Sequence, residues 1–242
     1  MSKVVTTTLL PDVAGRSVTL GGTGDSVVVT GNDIRTNALQ DAGGNAVFTS
    51  NGSGVLSGMN SAFAGAMKPI QTQTASNAAS VSFTTGIDST YDVYIFKFID
   101  INPSVDATLH FQVSTDGGST YGVTLTSTAF RALHRESGTE TNFSIQTALD
   151  QAQGTAYQVV IGDIGPNADE CGVGELHLFA PSSTTYVKNW FSTTQVYRST
   201  PSTQELFCAG YFNSTTAINA INFKMNTGTF DGTIKMYGIS KS

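Results

Sequence analysis

The chain has 242 residues, of which 39% are apolar and only 12% are charged, and its formal net charge is −6. This composition excludes a disordered chain, because disorder goes with low hydrophobicity and high net charge. It also disfavours helices, because the 34 Thr, 25 Ser and 25 Gly residues are poor helix formers.

The same composition bears on partners and on cellular location. The twelve Lys and Arg residues are scattered, so no basic cluster supports nucleic-acid binding. No window approaches the roughly 18 apolar residues of a membrane span, and Met1–Asp12 lacks the apolar run of a secretory signal. Cys171 and Cys208 are too few for a disulfide framework. We therefore expect a chain made in the cytoplasm, with both cysteines reduced and without membrane insertion.

The first 67 residues differ in composition from the rest, because Phe48 and Phe63 are their only aromatic residues. Apolar doublets separated by Gly, Asn and Asp predict very short strands joined by tight turns. Such strands carry too little apolar surface for a core of their own, and three copies around one axis would supply it. We therefore interpret residues 1–67 as an extended anchoring arm and an oligomeric, β-rich stalk, with a flexible linker as the alternative. The doublets are Val27-Val28, Ala38-Leu39, Val47-Phe48 and Val55-Leu56.

Pro69 and the polar run at residues 71–79 predict a connection, which places the domain boundary near Met67. Beyond it, eight or nine segments alternate between apolar and polar residues and are separated by turn clusters. This pattern predicts an all-β, jelly-roll-like antiparallel β-sandwich over residues 68–242, which we call the knob. The expected core includes Val93, Ile95, Phe111, Val113, Leu178, Phe223 and Ile234.

Two segments of the knob do not follow this alternating pattern and are predicted separately. Residues 116–119, Asp-Gly-Gly-Ser, predict a hairpin turn before a strand at residues 121–125. Residues 127–153 lack clear alternation, so we expect either a short helical turn at residues 130–136 or an irregular excursion above the sandwich.

No catalytic constellation emerges from the sequence. His110, His134 and His177 have neither metal-ligand nor general-base spacing, and no serine lies in a nucleophile-elbow motif. No obvious carboxylate pair suggests glycoside hydrolysis. We expect a protein that is not an enzyme and has no cofactor.

Three residue groups are candidates for binding. Oxygen atoms of the loop at residues 163–170 suit Ca²⁺, with a solvated acidic loop as the alternative. Aromatic residues around Phe191 would stack on sugars, or fill the core instead. Basic residues of the excursion would contact a receptor, or pair with neighbouring subunits or capsid proteins. The candidate calcium ligands are Asp163, Asn167, Asp169 and Glu170. The candidate aromatic residues are Trp190 and Tyr197, and the candidate basic residues are Arg131, His134 and Arg135.

Four segments carry a resemblance to a known family: residues 87–94, 174–188, 209–226 and 232–239. Together they resemble a C-terminal domain of marine bacteriophage virion proteins, and the resemblance spans roughly residues 70–242. Residues 1–67 resemble the repetitive stalks of phage fibres. The resemblance implies a structural role in the virion, with no catalytic residues to transfer.

From these observations we expect a homotrimeric short fibre or spike, anchored to the virion by its N-terminus, with the knob exposed to host-surface glycans. The alternative is a capsid decoration protein that clamps capsomer junctions. The expected partners are other copies of the chain and other capsid or tail proteins. Copy number per virion distinguishes the two roles, because a fibre is present in tens of copies or fewer and a decoration protein in hundreds.

Overall fold

A computed structural model describes residues 38–40, 45–50, 53, 56–59 and 66–240 of the chain. The chain divides into two compact units, Met1–Asn60 and Ser61–Ser242. This division precedes Met67, where the sequence places the boundary. We call the second unit the sandwich unit.

The first unit contains a three-stranded antiparallel sheet with β2 at its centre. Its strands are β1 (Ala38–Gln40), β2 (Ala46–Ser50) and β3 (Leu56–Met59). These very short strands agree with the prediction from the apolar doublets. The expected anchoring arm and the doublet Val27-Val28 lie outside the described residues.

The described residues of the sandwich unit form twelve strands and one 3-10 helix at Thr147–Leu149. Its strands are β4 (Met67–Ala78), β5 (Ser80–Phe83), β6 (Val93–Pro103), β7 (Ala107–Ser114), β8 (Leu125–Arg135), β9 (Thr141–Ile145), β10 (Gln158–Ile164), β11 (Gly172–Phe179), β12 (Lys188–Tyr197), β13 (Ser202–Phe212), β14 (Ala220–Met225) and β15 (Phe230–Ile239).

Eight of these strands form a jelly roll. In chain order, these eight strands are β4, β5, β6, β7, β10, β11, β14 and β15. The large sheet has the order β4-β15-β6-β11-β12-β13-β8-β9, so its first four positions hold the first, eighth, third and sixth strands of the jelly roll. The small sheet has the order β5-β14-β7-β10, which are the second, seventh, fourth and fifth strands of the jelly roll. This arrangement is that of two antiparallel sheets wound as a double Greek key. The hairpins β8-β9 and β12-β13 extend the large sheet by four strands. The all-β, jelly-roll prediction is confirmed.

The core between the two sheets is dominated by aromatic side chains. The Phe223 ring lies 5.3 to 6.3 Å from the rings of four other core phenylalanines. Phe111 of the small sheet contacts Trp190 and Phe212 of the large sheet, at 5.0 and 5.9 Å between ring centroids. All of these rings are buried, so the sheets are held together by ring packing over a broad area.

Two of the expected core residues lie on the wrong face of β6. Tyr94, Phe96 and Phe98 point into the core, which leaves Val93 half-exposed and turns Ile95 to the outer face of the large sheet. Ile95 is nevertheless buried there, next to the cross-strand neighbours His177 and Tyr237.

The expected connection at residues 71–79 is wrong, because residues 71–78 belong to β4, an edge strand of the large sheet. Pro69 is tolerated there, since an edge strand has one side without a partner. The small Ala75 fills the one fully buried position of this strand, and the partly buried Ile70 and Ala78 also pack against the core.

The interpretation of residues 127–153 is also wrong. Alternation is present in β8, where Leu125, Ala129 and Leu133 are buried, and β8 pairs with β9 as a hairpin at the edge of the large sheet. Small and hydroxyl side chains mask that alternation. Residues 116–119 do form a turn, but β7 and β8 belong to different sheets, so the turn connects the sheets and is not a hairpin.

Candidate functional site

A cluster of opposite charges joins three parts of the sandwich unit. Asp163 of β10 forms ion pairs through one carboxylate oxygen with Arg198, at 3.0 Å, and with Arg131 of β8, at 3.5 Å. Arg131 also donates a hydrogen bond to the side-chain oxygen of Gln204 at 3.1 Å. The Nε atoms of both arginines are buried and have no hydrogen-bond partner among the described residues.

A backbone irregularity places Asp163 in this cluster. The register between β10 and β7 shifts between Ile161 and Ile164, and Asp163 takes a left-handed conformation with φ of 54°. An interrupted ladder of this kind redirects a side chain from the sheet to a neighbouring site. Asp163 is therefore exposed beside the two arginines, although it lies within a strand.

Two cavities flank the Asp163 side chain. The larger, of about 320 Å³, is lined by Asp106, Thr108, Asp163, Arg198 and Asn226, among others. The smaller, of about 140 Å³, shares Thr108 and Asp163 and adds Arg131 and Gln204. Carboxylate, guanidinium, amide and hydroxyl groups thus line one region, which we call the polar cleft. Such groups form hydrogen bonds with a polyhydroxylated ligand, and the size is that of a small-ligand pocket.

The proposed calcium ligands are not brought together. Asp163 faces the two arginines, whereas the carboxylate of Glu170 is buried and accepts a hydrogen bond from the backbone N–H of Asn167 at 2.9 Å. Asn167 and Asp169 are exposed on the loop. Within the described ranges, no group of three or more His, Cys, Asp or Glu side chains could hold a metal ion. This loop is organised by its own turn and by hydrogen bonds that the Asn102 side chain donates to the Asn167 and Glu170 carbonyls.

The expected aromatic patch is divided between the core and the surface. Trp190 is only 2% exposed and packs edge-on against Phe111, so it cannot stack on a sugar. Tyr197 lies seven residues further along β12, on the opposite face of the sheet, and is half-buried. The negative charge of Glu136, together with partial burial and the charges of Asp169 and Glu170, raises the pKa of the Tyr197 hydroxyl.

Of the three basic residues expected to act together, only Arg131 reaches the polar cleft. His134 makes a hydrogen-bond contact with the Thr141 hydroxyl at 2.8 Å, and Arg135 forms an ion pair with Glu140 at 2.5 Å. Both contacts close the β8-β9 hairpin, where they have a structural role. Arg198, which sequence reasoning missed, completes the cleft, and its only signal was its position just after a strand.

The histidines and cysteines form no nucleophilic arrangement in the described part of the chain. His110 contacts the Thr108 hydroxyl at 2.7 Å, and burial lowers its pKa; His177 contacts the Glu175 carboxylate at 2.8 Å. Burial raises the pKa of the Cys208 thiol to about 12 and also raises that of Cys171. The two cysteines are free in this structure.

A second surface feature lies on the outer face of the large sheet, where aromatic residues of neighbouring strands stack in a row. Phe130 stacks on Phe207 at 4.8 Å between ring centroids, and Phe191 stacks on His177 at 4.6 Å. Phe143 of β9 adds a further ring 5.5 Å from Phe130. We call this surface, formed by Phe130, Phe143, Ile145, His177, Phe191 and Phe207, the aromatic face.

Sequence reasoning singled out Phe191 but missed the aromatic face as a whole, because its members come from five different strands. A local signal existed in β9, where Phe143 and Ile145 are separated by one polar residue and therefore share a face.

No protein-family model, curated protein or solved structure matches this chain. Among the described residues, no helix is both long and apolar enough to cross a lipid bilayer.

Proposed function

We propose that this chain is a structural protein of a bacteriophage virion and not an enzyme. In this proposal it is a homotrimeric short fibre or spike, attached by its N-terminal region, whose sandwich unit contacts saccharides of the host surface. The observation that carries the proposal is the jelly-roll topology, because double-sheet jelly rolls recur in viral capsid proteins and in lectins. This support is an analogy of fold.

The polar cleft supports the saccharide part of the proposal. Sugars are recognised through their hydroxyl groups, which both donate and accept hydrogen bonds. The cleft offers an acceptor at Asp163, donors at Arg131 and Arg198, and groups of both kinds at Thr108 and Asn226.

Capsid decoration is the second candidate, and the aromatic face is the observation that favours it. A decoration protein binds its capsid through protein–protein contacts, and exposed apolar surfaces mark such contacts. The aromatic face is of this kind, whereas the polar cleft is not.

Copy number tests the role of the chain in the particle. Quantitative mass spectrometry of purified virions, with imaging of particles labelled by an antibody to the chain, should give tens of copies or fewer, located at appendages. Hundreds of copies spread over the capsid would establish decoration instead. Absence of the chain from purified virions would reject both roles.

Competition for host adsorption tests the cleft. Purified full-length protein should slow phage adsorption to host cells, and Arg198→Gln should weaken this competition by at least about tenfold, since it removes a charged donor. Arg135→Gln is the matched control, because it removes an arginine from an exposed ion pair outside the cleft. Equal competition by both variants would exclude the cleft as the contact site.

A further inference from the structure

The aromatic face is unusually exposed for a surface so rich in apolar side chains. Phe143 and Ile145 are 71% and 67% exposed, and Phe191 and Phe130 are 41% and 38% exposed. Both of the most exposed side chains belong to β9, the last strand of the large sheet. An apolar edge strand left open to solvent promotes aggregation, so native proteins cover or blunt such edges.

The orientation of the rings argues against a sugar as the ligand of this face. Sugars stack on the flat surface of an aromatic ring. Here the rings of Phe130 and Phe207 are within 13° of parallel, and so are those of His177 and Phe191, so each pair already uses one flat surface internally. A groove of about 170 Å³ lies between Phe130, Phe191 and Phe207, floored by small residues such as Ala209. Apolar side chains suit this groove better than hydroxyl groups do.

The apolar area is large enough to form the centre of a subunit contact. Aromatic side chains bury about 150–250 Å² each, so the exposed fractions of Phe130, Phe143, Ile145 and Phe191 amount to roughly 400 Å². A standard interface takes about 800 Å² from each partner, of which roughly 60% is apolar. In a ring, each contact joins the projection of one copy to the groove of the next, so the aromatic face supplies about two fifths of the apolar part of both partners in such an interface.

Charge and shape both favour a second copy of this chain as the partner. No charged side chain lines the groove, and copies that each carry a net charge of −6 repel one another least across an uncharged surface. The face also combines a projection, Phe143 and Ile145, with a groove beside it. A projection that fits the groove of the next copy is a heterologous contact, and such contacts form a closed ring when the rotation from copy to copy closes.

We propose that the aromatic face is the contact between sandwich units in the homotrimer, with Phe143 and Ile145 of one copy seated in the groove of the next. This inference rests on the homotrimer of the proposed function. It goes further by assigning the subunit contact to the outer face of the large sheet.

Sedimentation velocity of the full-length chain over a micromolar concentration range tests the proposal. The double variant Phe143→Ser, Ile145→Thr removes the projection, and Thr128→Arg places a charge at the groove. Each should raise the dissociation constant of the oligomer by at least about 30-fold, the effect of removing an interface hot spot. Tyr186→Ser is the matched control, because Tyr186 is 72% exposed and lies outside the aromatic face, and it should leave the dissociation constant unchanged.

The other outcomes separate this inference from the proposed function. An oligomer that both face variants leave intact would overturn the inference alone, because the trimer would then use another contact. Variants that remain oligomeric but no longer enter virions would show that the face binds a different virion protein, which also overturns it. A wild-type chain that is monomeric throughout would overturn both the inference and the homotrimer, and the copy-number measurement would still decide the role in the virion. An unchanged far-UV circular dichroism spectrum shows that each variant is folded, as expected for exposed positions.

Discussion

The Phe111→Ala substitution should be among the most destabilising single changes in the sandwich unit. Phe111 is fully buried, and its ring packs against Trp190 and Phe212 of the opposite sheet and against Phe223 of its own sheet. Replacing a buried Phe by Ala costs about 3–5 kcal/mol, and each aromatic contact adds about 0.5–1.5 kcal/mol beyond area burial. We therefore expect a loss of about 5 kcal/mol, at the upper end of the range.

The assay uses Trp190, the only tryptophan of the chain, whose ring centroid lies 5.0 Å from that of Phe111. Urea denaturation followed by its fluorescence, and in parallel by far-UV circular dichroism, gives the free energy of unfolding at a fixed protein concentration. In thermal denaturation the same loss should lower Tm by about 10–20 °C. Tyr186→Ala, at an exposed position, is the control and should change the free energy by less than about 0.5 kcal/mol. If Phe111→Ala cost no more than the control, the argument from ring packing between the sheets would be refuted.

Three further predictions concern folding, assembly and pH. The isolated fragment Ser61–Ser242 contains the whole core and both sheets, so it should give a folded β-type circular dichroism spectrum, and an unfolded spectrum would contradict its independence. Deleting residues 1–60, which leaves β4 intact, should weaken the trimer measured by light scattering, and an unchanged mass at the lowest concentrations would argue against a contribution of the stalk. Hydrogen bonds from the Ser114 and Thr120 hydroxyls and from the Thr120 N–H lower the pKa of Asp116 to about 2. Because this pKa is depressed in the folded state, the associated stability is present above the unfolded pKa of about 3.9 and is lost as the pH falls towards about 2. The Asp116→Asn substitution should therefore make the urea denaturation midpoint less dependent on pH across that range.

The strands of the knob could be predicted from the sequence wherever one face is apolar and the other polar. β7 alternates in this way, with Leu109, Phe111 and Val113 on one face and polar residues on the other. β6 is apolar on both faces, so its alternation could not show which residues face the core, and Val93 and Ile95 were assigned to the wrong side. β4 and β8 were missed because Thr, Ser, Gln and Ala occupy many of their positions and weaken the contrast between faces.

The polar cleft could be predicted from the sequence only in part. Its residues were individually visible, since Arg131 and Asp163 were both singled out, but they were assigned to different functions. Arg198 was not selected at all. These residues meet only because β8, β10 and the end of β12 are brought together by the packing of one sheet on the other.

The sequence by itself determined the fold class, since alternation with a period of two, turn residues and scarce helix formers are local properties of the chain. It also located the change in aromatic content between the two units. Only the tertiary structure decided which strands pair, which face of β6 is buried, and that Phe130, Phe191 and Phe207 share one exposed surface. The reason is that pairing in a jelly roll joins strands that are far apart in sequence, as β4 and β15 are, and no local pattern records such a partner.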